Sequence, residues 1–173
     1  MRRPGLHRPA WLTDMRRFRK SSPGFTFVEI VVVTGIMAIL ATAALPIARV
    51  SMKRQREAEL RRTLREVRTA IDSFKDWADR GLIAQTELTF GSENYPTSLE
   101  VLVDGVLLAN DASGRKKKFL RRVPIDPFTG STDWGKRSYQ DAPDTKVWGG
   151  QNIYDIYTKY DAKALDGTKY RDW

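Results

Sequence analysis

Gly24-Phe25-Thr26-Phe27-Val28-Glu29-Ile30-Val31-Val32-Val33-Thr34-Gly35-Ile36-Met37-Ala38-Ile39-Leu40-Ala41-Thr42-Ala43-Ala44-Leu45-Pro46-Ile47-Ala48 decides how this chain folds. From Phe25 to Ala48 there are 24 residues and one charged side chain, Glu29. As a helix rising about 1.5 Å per residue, the run is about 36 Å long, enough to cross a hydrocarbon layer of about 30 Å. A carboxylate in such a run costs about 2.5 kcal/mol or more on insertion scales, so Glu29 wants a partner or a place at the interface.

Upstream, residues 1–24 read as a leader. They carry Arg2, Arg3, Arg8, Arg16, Arg17, Arg19 and Lys20 against the single acid Asp14, so most of the net charge of +9 lies just ahead of the apolar run. That placement is the positive-inside pattern of a cytoplasmic N-terminus and a translocated C-terminal domain, and it weakens a nucleic-acid reading of the basicity. Ser21-Ser22-Pro23-Gly24 discourages helix and leaves the flank open to a protease. Met15 is an alternative start. A secretory signal has a shorter apolar stretch followed by its cleavage site. Here the plausible cut precedes a long run, which then stays on the mature chain.

Downstream, Leu60, Leu64, Val67, Ile71, Phe74 and Ala78 recur at steps of four and three, the apolar face of an amphipathic helix whose other face is rich in Arg and Glu. The pattern predicts one helix from Phe25 to about Arg80, stopped at Gly81. Pro46 is expected to kink or locally melt it. Residues 81–173 are turn-rich. Ser98 to Leu108 reads as a short helix, and Tyr139, Val147-Trp148 and Ile153 to Tyr157 as strands. The fold class is therefore α+β: a long N-terminal helix, apolar in its first half and amphipathic in its second, packed on a small C-terminal antiparallel sheet with loops. The organisation predicted is leader 1–24, membrane or filament-core helix 25–48, amphipathic helix 49–80 and exported domain 81–173.

No cysteine is present, and the sole histidine, His7, lies in the leader. His-based catalysis, thiolate metal sites and a disulfide framework are excluded from the mature chain. No Gly-rich phosphate loop occurs, and Asp126, Asp141 and Asp144 have no spacing that makes a carboxylate pair. The chain reads as a non-enzyme. Arg115-Lys116-Lys117-Lys118 and Arg121-Arg122 read as a solvated face, and Trp77, Trp134 and Trp148 as core or surface anchors.

Gly24-Phe25 with Glu29 ahead of an apolar run resembles the type IV pilin precursor signature, with Glu29 fifth and Pro46 twenty-second after a cut at Gly24. The resemblance implies cleavage after Gly24 by a prepilin peptidase and N-methylation of Phe25. It also implies assembly through pairing of Glu29 with the α-amine of a neighbouring Phe25; a solvated interfacial carboxylate is the plainer reading of Glu29. Tyr95-Pro96-Thr97-Ser98-Leu99 and Val123-Pro124-Ile125-Asp126-Pro127-Phe128-Thr129-Gly130 further resemble segments of the major pseudopilins of type II secretion, the general secretion pathway protein G family. That likeness implies a homo-oligomeric helical filament with minor pseudopilins among its partners. It would be built at an inner-membrane platform with its ATPase, each subunit single-pass with its C-terminal domain periplasmic. Type IV pilus subunits and minor pseudopilins are the near alternatives, and a single-pass anchored binding domain or hydrolase is the distant one. The family's C-terminal loop binds calcium, which nominates Asp161, Asp166 and Asp172. Lys159, Lys163 and Lys169 among those acids depart from the family pattern, and simple turn acids remain the other reading.

Overall fold

The computed structural model describes residues 24–109, 111, 113–145 and 147–173. The basic leader and Met15 lie outside the described residues. The chain divides into two compact units between Leu45 and Pro46. The architecture is α+β, and one helix, α1 (Phe27–Asp79), contributes to both units. It remains helical through Pro46, so the expected local melting is absent at that residue.

In the second unit the amphipathic face behaves as its spacing predicts. Leu60, Leu64, Val67, Ile71, Phe74 and Ala78 are all buried. They pack in one cluster with Ile83, Leu99, Leu102, Val106, Leu120, Trp134, Ile153, Ile156 and Tyr170. Steps of four and three keep these α1 residues on one stripe, so one helix face supplies a large share of a continuous core. Gly81 ends the helix at φ +68°. Its amide donates to the Ala78 carbonyl at 2.9 Å, and the Leu82 amide donates to Trp77 at 3.0 Å. These two bonds form a Schellman closure, which needs a left-handed residue at this position.

Beyond the helix, the described residues form two separate antiparallel pairs in place of the expected single sheet. The strands are β1 (Val106–Leu107), β2 (Lys116–Lys117), β3 (Gly135–Arg137) and β4 (Asp155–Tyr157). β1 pairs with β2 in the register Val106 to Lys117. β3 pairs with β4, Gly135 facing Tyr157 and Arg137 facing Asp155. The predicted helix over Ser98 to Leu108 is shorter, α2 (Leu99–Asp104), because Gly105 turns the chain at φ +81° directly into β1. Tyr139 and Val147-Trp148 are not strands. Tyr139 instead stacks on Tyr95 at 5.8 Å. The Trp148 indole donates to the Asn152 carbonyl at 2.8 Å.

The two family-like segments are structural clamps. The Pro96 carbonyl accepts the Ile153 amide at 2.7 Å, and Leu99 enters the core. Asp126 is 1% exposed. One of its carboxyl oxygens accepts the Phe128 amide at 2.8 Å, and the other accepts the Thr158 hydroxyl. Phe128 stacks on Tyr160 at 5.1 Å. Asp126→Ala strands both donors in the interior. The expected loss is about 3 kcal/mol, read as a lower urea midpoint.

Candidate functional site

The candidate site begins where regular structure begins. Gly24 is exposed and outside regular structure, and a Cβ added there would meet no atom within 4 Å. Phe25 is also exposed, so the peptide bond between the two residues is accessible. Thr26 then caps α1: its hydroxyl oxygen accepts the Glu29 amide at 3.2 Å, and its carbonyl accepts the Ile30 amide at 3.2 Å. Thr26-x-x-Glu29 has the spacing of a capping box, a sequence signal that an account centred on Gly24, Phe25 and Glu29 passes over. The cap starts the helix two residues after the proposed cut. It places Glu29 in the first turn, where the helix dipole favours an acid.

From there to Ile47 the large apolar residues are exposed. Phe27 is 82% and Ile47 69% accessible, and among the described residues nothing buries the apolar span. The helix is long and apolar enough to cross a membrane. A continuous apolar surface of this extent has to be covered by lipid or by other helices. The two hydroxyls within it are satisfied internally. Thr34 donates to the Ile30 carbonyl, and Thr42 donates to Ala38 at 2.8 Å. Such self-satisfied polar groups suit a medium without water. Pro46 closes the segment with its missing donor, at the boundary between the two units.

The nominated metal acids sit at the other end of the chain. Asp166 accepts the Thr168 amide at 2.9 Å and hydroxyl at 2.6 Å, and pairs with Arg61 at 3.1 Å. Those Thr168 bonds, and then Arg61, hold its carboxyl below the usual range. Asp161 borders a shallow concavity with Thr158, Lys159, Tyr160 and Arg171. Asp172 lies in the short turn Tyr170–Asp172. Among the described residues no three acids or histidines come together to hold a metal ion. Calcium needs six to eight oxygens, so the donor set on this loop does not fit the ion as arranged. Asp126 and Asp141 are likewise engaged structurally. The amides of Ser138 and Gly149 donate to Asp141 at 2.7 and 3.1 Å and hold its carboxyl low.

Residues missed by the sequence reading line one stripe of α1. Lys53 donates to the Lys163 carbonyl at 2.8 Å. Glu57 accepts the Leu165 amide at 2.9 Å and the Tyr170 hydroxyl at 2.8 Å. Burial, and then that Glu57 bond, push the Tyr170 phenol upward. Arg68 donates to Asp155 at 2.6 Å and to the Trp173 carbonyl at 2.6 Å. No local signal distinguishes these side chains from an ordinary solvated helix face.

Residues 19–45 match the prokaryotic N-terminal methylation motif. The match takes in Gly24, Phe25 and Glu29 and stops at the unit boundary. It supports a type IV pilin-like, prepilin-type protein with a leader, N-terminal methylation and a membrane-anchoring helix. No curated protein and no solved structure matches the chain.

Proposed function

We propose that the chain is a structural, non-catalytic subunit of a type II secretion pseudopilus. The precursor enters the inner membrane with its basic leader in the cytoplasm, loses residues 1–24 and acquires an N-methyl group on Phe25. The apolar first half of α1 then leaves lipid for the core of a helical filament of identical subunits, drawn out by an ATPase and platform that are separate proteins. The rod pushes exported proteins toward the outer membrane.

One observation carries this reading. An exposed Gly24-Phe25 pair stands immediately before a capped helix whose apolar surface has no cover among the described residues. The pseudopilin assignment, rather than a pilus one, draws support from the Tyr95–Leu99 and Val123–Gly130 segments. Both act as clamps in the globular unit, and no cysteine is present to close a loop by disulfide.

Gly24→Val tests the first step. Glycine lets extended backbone enter a protease cleft without a Cβ in the way. Co-expressed with a prepilin peptidase, this variant should keep its leader and migrate as the larger precursor, while the parent is trimmed. Equal trimming of both would refute the leader assignment. Surface filaments at native expression would replace the pseudopilus reading with a pilus one.

A further inference from the structure

Four side chains of α1 join the last segment of the chain to one stripe of the helix, and they commit the Asp166 carboxylate to an arginine. Lys53, Glu57, Arg61 and Arg68 fall within about 80° of one another at 100° per residue. Each reaches the segment beyond β4 or β4 itself. Lys53 holds the Lys163 carbonyl, and Glu57 holds the Leu165 amide and the Tyr170 hydroxyl. Arg61 pairs with Asp166 at 3.1 Å and lays its guanidinium over the Trp173 ring at 4.0 Å. Arg68 reaches Asp155, the Ile156 carbonyl at 3.3 Å and the Trp173 carbonyl. Tyr170, fully buried, is the apolar anchor between these contacts, edge-on to Trp173 at 5.0 Å.

We propose that these side chains of α1 close the 158–173 loop in place of a metal ion, so that the subunit folds without calcium. The chemistry of the stripe supports this. Arg61 bonds one Asp166 oxygen at 3.1 Å while the Thr168 amide and hydroxyl bond the other, so both oxygens that a cation would need are engaged, and Lys159 pairs with Asp133 at 2.7 Å. Recruiting Asp166 to calcium would mean displacing Arg61 from both its carboxylate and its indole. Closure by charge-assisted bonds and a stacked guanidinium is suited to a domain without cysteine to form a disulfide. The proposal is independent of leader processing.

The mature chain in detergent is melted in millimolar calcium and in excess chelator, with tryptophan fluorescence as the readout. The two midpoints should agree to about 1 °C, well below the shift of several degrees that a kcal/mol-scale site produces in a unit of this size. Arg61→Glu should lower the midpoint by about 3 °C or more and expose the loop to limited proteolysis. Arg61→Asp combined with Asp166→Arg should recover part of the loss. Should Arg61→Glu fail to fold, Trp173→Ala removes the same stack more gently and should also open the loop. A midpoint that falls in chelator and returns with calcium would overturn the proposal. So would an Arg61→Glu or Trp173→Ala protein as stable and protease-resistant as the parent.

Discussion

Phe74→Ala is expected to destabilise the globular unit by about 3–5 kcal/mol, the usual cost of hollowing a well-packed aromatic site. Phe74 is 1% exposed, and its ring meets Phe119 edge to face at 5.4 Å. Phe119 in turn meets Trp77 at 6.2 Å. The truncation therefore removes one member of an aromatic chain as well as its buried area, and the pair itself contributes about 1 kcal/mol. A domain stable by about 5–15 kcal/mol loses a large fraction of that margin. Urea denaturation should show a much lower midpoint at unchanged slope. Val31→Ala is the control. Val31 is 53% exposed in the apolar unit, so the same measurement should move by no more than about 0.5 kcal/mol. Equal effects of the two changes would mean that the 3.6-residue stripe does not define the core.

That stripe was legible in sequence because it repeats. Six apolar residues from Leu60 to Ala78 each test the same period, and Gly81 supplies the stop that a Schellman closure requires. The strands were not legible, because two or three residues cannot express a period of two. β2 is Lys116–Lys117, a pair that reads as solvated charge. It is tolerated because lysine suits a short edge strand, and the Lys117 ammonium lies over the Trp77 ring at 4.7 Å. β3 begins at Gly135, which has no strand preference. It is there because a Cβ would stand 2.4 Å from the Tyr157 ring across the ladder. The helix predicted through Leu108 failed at Gly105, where the turn signal of Asp104-Gly105 prevailed over a continuing apolar pattern.

The same contrast divides the site. Gly24, Phe25, Thr26 and Glu29 lie within one short stretch at the start of α1, so their spacing largely sets their geometry. The stripe that closes the 158–173 loop joins residues about a hundred positions apart, from Arg61 to Asp166 for example, and such pairs leave no local trace. Three aspartates near a glycine, in a segment resembling a calcium-binding loop, invite a metal reading. Which of them is already committed to an arginine is a tertiary fact.

Glu29→Ala should abolish polymerisation while leaving removal of the leader intact. The carboxylate stands on the first turn of α1, beside exposed Phe25 and Phe27 and within a surface of valine and isoleucine. In a single subunit at a membrane it reaches the interface. In the proposed filament, apolar faces of neighbouring helices would surround it, and its one complementary charge would be the α-amine freed on a neighbour's Phe25, which N-methylation does not neutralise. Alanine removes the acid and strands that amine in the helix core. Breaking a buried pair in this way costs about 3–5 kcal/mol, or about 10²- to 10⁴-fold in affinity for each subunit added. Because every subunit makes the contact, growth fails at the first additions. Glu29→Gln keeps the volume and one acceptor but not the charge, and should be nearly as defective; a packing role alone would leave it competent. Electron microscopy of sheared or overexpressed filaments gives the readout, and precursor mobility on the same samples confirms trimming. Filaments of parental length from either variant would show that the acid does not set the register of the rod.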